Sequence, residues 1–482
     1  MKKAFALLLA FFILLSPMGG VQAEYVRGNK DNNATTDYVL PQEKEEVELL
    51  WKADLGIITD PIVTENNLIV QKENTLLFID SLSGRVVKET KLEEGIGYSL
   101  YPACLGENLV FSSQEEGTIE AFDQESLERV WIYQDELGGS SYMPIVYDEG
   151  FIFTGFYTND KDGSYLALDA KTGKKVWSIT NKGGFYGTLV YVENDYICLS
   201  SFDAEKKKST IISLDKKTGE EVDRLELEGA QKGAIVHQGD SIYFTLDRSK
   251  STINKLVYKD GKFSNHIEAF LEASASTSPV ISGDYLFVGS STEDLFEGPG
   301  VFYVFSSKDL KEISKTEVPQ GYPQGAPLLS TAKAKEGIYS IYQSYNQQPG
   351  GLVVIQFTST DNKLEVKDLF IPEGEEKNYC LYSVNVGSAK QLIYRNDSGM
   401  TYALVKKGEK VEVSNDKPSQ ENIESSSAKD EEKIKNKEVQ EDSQNTHKDN
   451  PVTGDQGILL PVILLFAALL LFFLIQKFNK KK

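Results

Sequence analysis

Cysteine is scarce in this chain, and its placement excludes several classes of protein. The 482 residues include three cysteines, Cys104, Cys198 and Cys380, which are far apart and odd in number. They provide no disulfide framework of the kind that small secreted domains use, and no C-x-x-C pair for a metal or a haem. We therefore expect all three to be small apolar residues in a core.

Histidine is equally scarce. The three histidines are His237, His266 and His447, too few for a metal cluster built from histidines. A Ser–His–Asp arrangement would have to use His237 or His266. Because His237 follows an apolar pair at the end of a predicted strand, a hydrogen-bonded structural role is the expected one.

Positive charge is in deficit. The chain has 51 Lys and Arg against 72 Asp and Glu, which gives a formal net charge of −21. A chain this acidic repels the phosphate backbone, so nucleic acid is excluded as a partner. We interpret the charge as serving solubility.

Long hydrophobic runs occur at the two ends of the chain. Residues 1–23 have a charged start, an apolar stretch over residues 4–15 and a small-residue end at Val21-Gln22-Ala23. This order predicts a secretory signal peptide that is cleaved after Ala23. The alternative is a retained membrane anchor, although the apolar stretch is shorter than the ~20 residues that spanning requires.

At the other end, residues 457–476 are almost wholly apolar, and the basic tail 477–482 follows. This pattern predicts a transmembrane helix with the preceding chain outside the cell, because positive charge flanks the cytoplasmic side. The pentapeptide at residues 450–454, Asn-Pro-Val-Thr-Gly, stands just before this run. The alternative to a processed signal is an ordinary C-terminal membrane anchor.

The order of pentapeptide, apolar span and basic tail resembles a sortase sorting signal of the L-P-x-T-G type. The resemblance implies recognition of Asn450, Pro451, Thr453 and Gly454, cleavage between Thr453 and Gly454, and transfer of the Thr453 carbonyl to peptidoglycan. Sortase and peptidoglycan are thus the implied partners, and the cell wall of a Gram-positive surface is the implied location. Asn450 resembles the N-P-x-T variants and leaves the class of sortase open.

The middle of the chain is built from repeats. A phrase of small or proline residue, apolar strand, polar turn and second apolar strand starts eight times, mostly 41 to 48 residues apart. The copies start at Pro61, Pro102, Pro144, Thr188, Ala234, Pro279, Pro327 and Ser383. Four strands in about 40–45 residues are typical of a propeller blade. We predict an all-β, eight-bladed β-propeller over residues 47–410; a seven-bladed ring is the alternative.

A second phrase follows the first and predicts how neighbouring blades pack. Its clearest copy runs from Ala167 to Trp177 and places a turn between two strands. Aspartate and threonine can bond the turn backbone, and glycine takes the positive φ. The predicted packing residues are Trp51, Asp80, Asp123, Trp131, Asp169, Thr172, Gly173, Trp177, Asp215 and Gly219. Trp51 has no strands before it, so we predict that its strand completes the last blade and closes the ring.

This second phrase resembles the tryptophan-docking motif of the quinoprotein, or PQQ-like, β-propeller family. Quinoprotein dehydrogenases of this family use an adjacent cysteine pair, a stacking tryptophan, calcium and an aspartate base. The chain has no adjacent cysteine pair, and its three tryptophans fall at packing positions. We therefore expect no PQQ and no catalysis.

Two polar segments flank the repeats. Residues 24–46 are short and polar, and we expect a flexible N-terminal segment there. Residues 411–449 are rich in Lys, Glu, Ser, Asn and Gln with little to bury, which predicts a disordered tether.

The loops that lead into the inner strands are rich in glycine and tyrosine. They include Tyr98, Tyr101, Tyr142, Tyr186, Tyr322 and Tyr382. A ring of tyrosines could bind a peptide, a glycan or a surface protein, and packing between blades is the alternative. Asp160 and Asp162 in one hairpin loop resemble the start of a calcium loop, but position twelve lacks glutamate, so a plain loop is preferred.

These observations favour a surface-displayed propeller that acts as a non-catalytic binding or scaffold module. The alternatives are an extracellular enzyme acting on polysaccharide, a quinone-dependent oxidoreductase and a purely structural spacer.

Overall fold

Short strands and four 3-10 helices account for the regular structure of the described residues. The computed structural model describes residues 33–409, apart from 98, 100–101, 142, 159–161, 182–184, 187–190, 204, 249, 276 and 293–297. The predicted signal peptide, tether, sorting motif, transmembrane helix and basic tail all lie outside these residues, as do Ala23, Asn450, Pro451, Thr453 and Gly454. None of the helices in the described part of the chain has the length and apolarity needed to cross a bilayer.

Each strand is built around a short apolar run, and polar turn residues end it. This is the order that the repeated phrase predicts. The first elements are β1 (Thr35–Thr36), the 3-10 helix η1 (Lys44–Glu46) and β2 (Val47–Asp54). Blade 1 contains β3 (Ile62–Val63), β4 (Asn67–Lys72), β5 (Thr75–Asp80) and β6 (Val86–Lys91). Blade 2 contains β7 (Ala103–Gly106), β8 (Leu109–Ser113), the 3-10 helix η2 (Glu115–Gly117), β9 (Thr118–Asp123) and β10 (Arg129–Gln134).

Blades 3 and 4 each have an inner strand in two pieces. Blade 3 contains β11 (Ser140–Ser141), β12 (Val146–Asp148), β13 (Phe151–Tyr157), β14 (Gly163–Asp169) and β15 (Lys175–Asn181). Blade 4 contains β16 (Phe185–Tyr186), β17 (Tyr191–Glu193), β18 (Tyr196–Asp203), β19 (Lys208–Asp215) and β20 (Glu221–Glu228). In both blades the two inner pieces pair with the same second strand.

The remaining blades follow the same order. Blade 5 contains β21 (Val236–Gln238), β22 (Ser241–Leu246), β23 (Thr252–Lys259) and β24 (Lys262–Phe270). Blade 6 contains β25 (Val280–Ser282), β26 (Tyr285–Ser291), β27 (Gly300–Ser306) and β28 (Glu312–Val318). Blade 7 contains β29 (Leu328–Ser330), the 3-10 helix η3 (Ala334–Glu336), β30 (Ile338–Tyr345), β31 (Gly351–Thr358) and β32 (Lys363–Phe370). The 3-10 helix η4 (Gly374–Glu376) then leads to β33 (Asn385–Val386), β34 (Leu392–Arg395) and β35 (Met400–Lys406).

Blade 8 closes the ring as predicted. Its sheet has the order β2-β35-β34-β33, so the N-terminal strand β2 supplies the outer strand of the last blade. Trp51 of β2 lies across from Ala403 of β35. Eight sheets confirm the eight-bladed propeller and exclude the seven-bladed alternative.

The predicted tryptophan packing is present at three blade junctions. The indole Nε1 of each tryptophan donates to a backbone carbonyl of the next blade: Trp51 to Ser81 (2.9 Å), Trp131 to Ala170 (3.0 Å) and Trp177 to Lys216 (3.0 Å). Each tryptophan also pairs across its own sheet with an alanine: Ala403, Ala121 and Ala167, respectively. The small alanine leaves room for the indole between the two sheets.

The turns beneath these tryptophans are built by aspartate and glycine. Asp80, Asp123, Asp169 and Asp215 each accept bonds from the backbone N–H and the hydroxyl of the residue three positions later. The Thr172 bonds lower the pKa of Asp169. The glycines Gly84, Gly173 and Gly219 have φ values of 69°, 67° and 72°, and an added Cβ would lie 2.5–2.6 Å from the indole. Each predicted packing residue thus lies on an outer strand at a blade junction or in the turn between a third and an outer strand.

A buried ion pair lies at the junction of blades 3 and 4. Lys216, in the turn that receives Trp177, is almost fully buried and contacts Asp148 at 2.7 Å and the exposed Glu149 at 2.8 Å. Burial acts to lower the pKa of Lys216, but the two carboxylates outweigh it and the pKa is raised. The ion pair thus holds the turn of blade 4 against the inner hairpin of blade 3.

The sequence predicts a flexible segment over residues 24–46, but the described part of this segment is packed against the propeller. Residues 33–42, here called the strap, pack on blade 7, where β1 pairs in parallel with β29. Ala34 and Leu40 are fully buried in a core cluster that contains residues of blades 6, 7 and 8, and Pro41 O accepts from the hydroxyl of Tyr342 at 3.0 Å. The outer strand of blade 8 comes from the N-terminus, so blade 8 has no turn between its third and outer strands. In the other blades this turn packs against the preceding blade. At the junction of blades 7 and 8 the strap takes the place of the turn, since Pro41 accepts from Tyr342 of blade 7.

Candidate functional site

The candidate site is the face that carries the lead-in loops, each of which joins the outer strand of one blade to the inner strand of the next. These loops comprise residues 55–61, 92–102, 135–145, 182–190, 229–235, 271–279, 319–327 and 371–384. Because successive strands in a blade run antiparallel, the turns between second and third strands lie on the same face.

The structure places two of the six predicted tyrosines, Tyr322 and Tyr382, inside the protein. Tyr322 is 1% exposed and Tyr382 is 8% exposed, so neither offers a ring face to a ligand. Tyr98, Tyr101 and Tyr142 lie outside the described residues. The backbone of Tyr186 belongs to the short strand β16, but its side chain is not among the described parts of the chain. The structure therefore does not bring the six tyrosines together as a described aromatic surface, and the two that it shows pack within the blades.

Tyr382 packs against a buried arginine that sequence analysis missed. The Arg395 guanidinium carbon lies 4.1 Å from the centre of the Tyr382 ring, which is cation–π geometry. The guanidinium also donates to the carbonyls of Ile58 and Thr59 and pairs with the carboxylate of Asp60. Arg395 belongs to blade 8 and the three acceptors to the lead-in loop of blade 1, so this cluster ties the closing junction of the ring.

Arg395 is one case of a general feature. The second strand of every blade is mainly apolar, but near the lead-in face it contains a buried polar residue or a glycine. These positions are Gln71, Ser113, Gly155, Ser200, Thr245, Gly289, Gln343 and Arg395. The signal in the sequence is the polar residue or glycine that ends each apolar strand phrase, such as Arg395 after Leu392-Ile393-Tyr394.

The polar residues at these positions hold the lead-in loops. Four of the bonds are Ser113 Oγ to Ser141 Oγ (2.8 Å), Ser200 Oγ to Gln231 Oε1 (2.8 Å), Thr245 Oγ1 to Thr277 O (2.9 Å) and Gln343 Nε2 to Gly325 O (2.7 Å). The first three reach the loop of the following blade. Buried hydrogen bonds of this kind fix a loop because breaking one leaves a buried group unpaired.

Neighbouring lead-in loops also bond to each other. Ser99 N donates to Ser141 O at 3.0 Å, and Thr277 Oγ1 donates to Gly325 O at 3.1 Å. Gly325 approaches the next loop so closely that an added Cβ would lie 2.3 Å from Tyr382 O. The lead-in loops of blades 2 and 3, of blades 6 and 7 and of blades 7 and 8 thus contact each other directly, and the described loops of this face are here called the rim.

Two apolar side chains stand out from this rim at the closing junction. Ile57, in the lead-in loop of blade 1, is 53% exposed, and Tyr379, in that of blade 8, is 40% exposed. The turn at residues 396–399 lies between them, because Asp397 N donates to Tyr379 O at 3.0 Å and Leu55 N donates to Gly399 O at 3.2 Å. Burial raises the pKa of Asp397, against the opposing effects of Tyr382 and Arg395.

The scarce reactive residues have structural positions. Cys104, Cys198 and Cys380 are buried and free, as predicted, and burial raises the pKa of each thiol. Burial lowers the pKa of His266, whose Nε2 lies 3.0 Å from Asn254 Oδ1. The ring centre of His237 lies 4.3 Å from that of Tyr191, with the two planes tilted by 32°. Within the described ranges, no group of three or more His, Cys, Asp or Glu residues is arranged to hold a metal ion.

The residues present do not fit the quinone arrangement of the dehydrogenases. All three tryptophans are engaged at outer-strand junctions, where their indole N–H groups bond the neighbouring blade. The cysteines are buried in different blades rather than adjacent. Of the calcium candidates, Asp160 lies outside the described residues, and the backbone oxygen of Asp162 accepts from Thr158 N at 2.9 Å in a hairpin loop.

Comparison with known proteins agrees with this architecture. The sequence profile of the PQQ_2 family, described as outer membrane protein assembly factor BamB, matches residues 43–264 and 137–297, together more than half of the chain. No curated protein sequence matches significantly.

Solved propellers share the fold at low sequence identity. BamB from Moraxella catarrhalis is 12% identical, with 74% of this chain and 99% of that chain covered and a TM-score of 0.50. A europium-containing methanol dehydrogenase is 9% identical, with 80% and 98% covered and a TM-score of 0.57. Quinohemoprotein alcohol dehydrogenase from Comamonas testosteroni is 10% identical, with 77% and 78% covered and a TM-score of 0.53. At these identities the likeness is one of fold alone.

Proposed function

Because the chain belongs to the PQQ_2 family, described as outer membrane protein assembly factor BamB, we propose that it is a binding or scaffold propeller without catalysis of its own. The name of the family supports a role in holding other molecules.

The observation that carries this proposal is the construction of the lead-in face. Buried hydroxyl, amide and guanidinium groups fix its loops to the blades, and backbone contacts join loop to loop. A rigid surface loses little conformational entropy when it binds, so more of the contact energy appears as affinity. Such a face is suited to recognition.

The contact point that we propose on this face is the closing junction. Ile57 and Tyr379 present an aliphatic and an aromatic side chain on either side of one turn, with the rigid Arg395 cluster beneath. An apolar body with a hydroxyl tip suits both peptides and sugars. The proposed partner is a peptide, a glycan or another surface protein.

We propose that the propeller works outside the cell, held to the wall through the 450–454 motif by sortase. The sequence order of motif, apolar run and basic tail supports this location. The test is fractionation of cells that express the full chain or its Thr453→Ala variant. The wild-type chain should remain with detergent-washed walls, and the variant should be extracted with the membrane. Equal extraction of both would contradict wall attachment.

The binding proposal is tested with the full-length chain in detergent and three probes: immobilised glycans, peptides and cell-envelope fractions. The test variant combines Ile57→Ser with Tyr379→Ala. The control is Val87→Ser, which removes an equally exposed apolar side chain from an outer strand. Saturable binding by the wild type and the control, reduced at least tenfold in the test variant, would support the junction as the contact point. Equal binding by all three would place recognition elsewhere.

A further inference from the structure

The outer edges of the blades are a surface that the proposed function does not use. Each sheet ends in an outer strand (β6, β10, β15, β20, β24, β28, β32 or β2) that pairs on one side with the third strand. Within the described part of the chain its other side pairs with no strand. Such an edge presents backbone N–H and C=O groups that can pair with a further strand.

Most of these edges are protected by charge. Strand β20, for example, reads Glu-Val-Asp-Arg-Leu-Glu-Leu-Glu, and β28 and β32 also carry a charge at every second to fourth position. Charged side chains on an edge discourage pairing with another strand. Two neighbouring blades are exceptions, because β10 and β15 each have a charged residue at the first position alone.

Strand β10 is the more open of these two. The charge of Arg129 is engaged by Glu93 and Glu120, each at 2.8 Å. The remaining residues, Val-Trp-Ile-Tyr-Gln, all have high or neutral strand preference. Val130 is 51% exposed and Ile132 is 45% exposed, and the register with β9 is continuous from Trp131 to Gln134. The register shifts at Val130, so the regular edge runs over residues 131–134 and presents Ile132 as its exposed apolar residue, with Val130 just before it.

Acidic residues surround both ends of β10. Glu125 and Glu128 are exposed just before it, and Glu116 and Glu136 are exposed beside its far end. The Glu136 side chain is 91% exposed and lies 3.6 Å from Nζ of Lys175 in β15. Strand β15 differs, because Lys174 and Lys175 stand at its start. Opposite charge at the ends of a strand attracts a partner and fixes its register.

We propose that the outer edge of β10 is a docking site for an extended segment of a partner protein with alternating apolar residues and basic residues at its ends. The segment adds to blade 2 as a further strand, with backbone hydrogen bonds along residues 131–134. Its apolar side chains cover Val130 and Ile132, and its basic ends meet the flanking glutamates. This surface lies on the outer edge of blade 2 and is separate from the lead-in face.

The test uses the full-length chain in detergent and a labelled ten-residue peptide of alternating threonine and valine with two lysines at each end. Binding is measured by fluorescence anisotropy. Ile132→Lys puts a cation on the edge and should weaken binding at least tenfold. The matched control is Ser178→Lys, at the equivalent position of β15, and it should bind like the wild type. A peptide with glutamates in place of the lysines should bind at least tenfold more weakly.

A second variant keeps the test decisive if Ile132→Lys disturbs the fold. Glu136→Lys changes a side chain that is almost fully exposed and removes one surface ion pair with Lys175, so the fold should change little, and binding of the basic peptide should weaken severalfold. The proposal is overturned if the wild type does not bind the peptide at millimolar concentration. It is also overturned if a folded Ile132→Lys protein or Glu136→Lys binds like the wild type, or if the acidic peptide binds equally well.

Discussion

The glycine beneath each docking tryptophan gives a quantitative test of the blade junctions. In Gly219→Ala, the new Cβ would lie 2.5 Å from Cδ2 of Trp177, and the backbone would keep a φ of 72°. The left-handed conformation costs a non-glycine residue about 1–2 kcal/mol. Displacing the indole also weakens the bond to Lys216 O, worth about 1 kcal/mol, and some burial of Trp177. We expect a loss of about 3 kcal/mol in the free energy of unfolding.

The control separates strain from clash. Gly239 has a φ of 60°, and an added Cβ there meets no atom within 4 Å. Gly239→Ala should therefore lower the free energy of unfolding by the cost of the left-handed backbone conformation alone, about 1–2 kcal/mol. The assay is denaturant unfolding followed by tryptophan fluorescence, which is direct because all three tryptophans lie at blade junctions. The reasoning is refuted if Gly219→Ala is no less stable than Gly239→Ala.

Three further changes test other parts of the structure. Lys216→Met removes the cation that pairs with the buried Asp148 carboxylate and should lower the unfolding free energy by about 3–5 kcal/mol in denaturant titration; a change under 1 kcal/mol would contradict the buried pair. Leu40→Ala opens a cavity where the strap fills the last junction and should cost about 2–5 kcal/mol, whereas Val39→Ala, at an exposed position, should change the thermal midpoint little; equal effects would argue against strap packing. Because burial raises the folded-state pKa of Asp397 above 3.8, this carboxyl binds its proton more tightly in the folded state. Its favourable contribution is present at low pH and is lost as pH rises through the unfolded and then the folded pKa, so the pH dependence of unfolding should show a decline there that is absent in Asp397→Asn.

The repeat architecture was predictable because its signals are local. The aspartate, the glycine and the tryptophan of the second phrase stand at fixed offsets, and the structure gives each the expected contact. Closure by β2 was predictable for a related reason: Trp51 is a docking residue without a blade of its own.

The strap was not predictable from local composition. Residues 33–42 are few and mix polar with apolar residues, and their order comes from contacts with blade 7 and with a core cluster that exists once the ring has closed. The burial of Tyr322 and Tyr382 has a similar cause. A glycine- and tyrosine-rich loop suggests an exposed aromatic surface, but Arg395, distant in sequence from Asp60 and the loop of blade 1, provides the interior partner for Tyr382.

The most direct test of the central claim is deuterium uptake by the full-length chain, measured with and without purified peptidoglycan, wall polysaccharide and envelope protein fractions. The account predicts that a binding fraction slows exchange in residues 55–61 and 371–384, the lead-in loops that carry Ile57 and Tyr379. Slower exchange confined to the opposite face, or no change with any fraction, would contradict recognition through the lead-in loops.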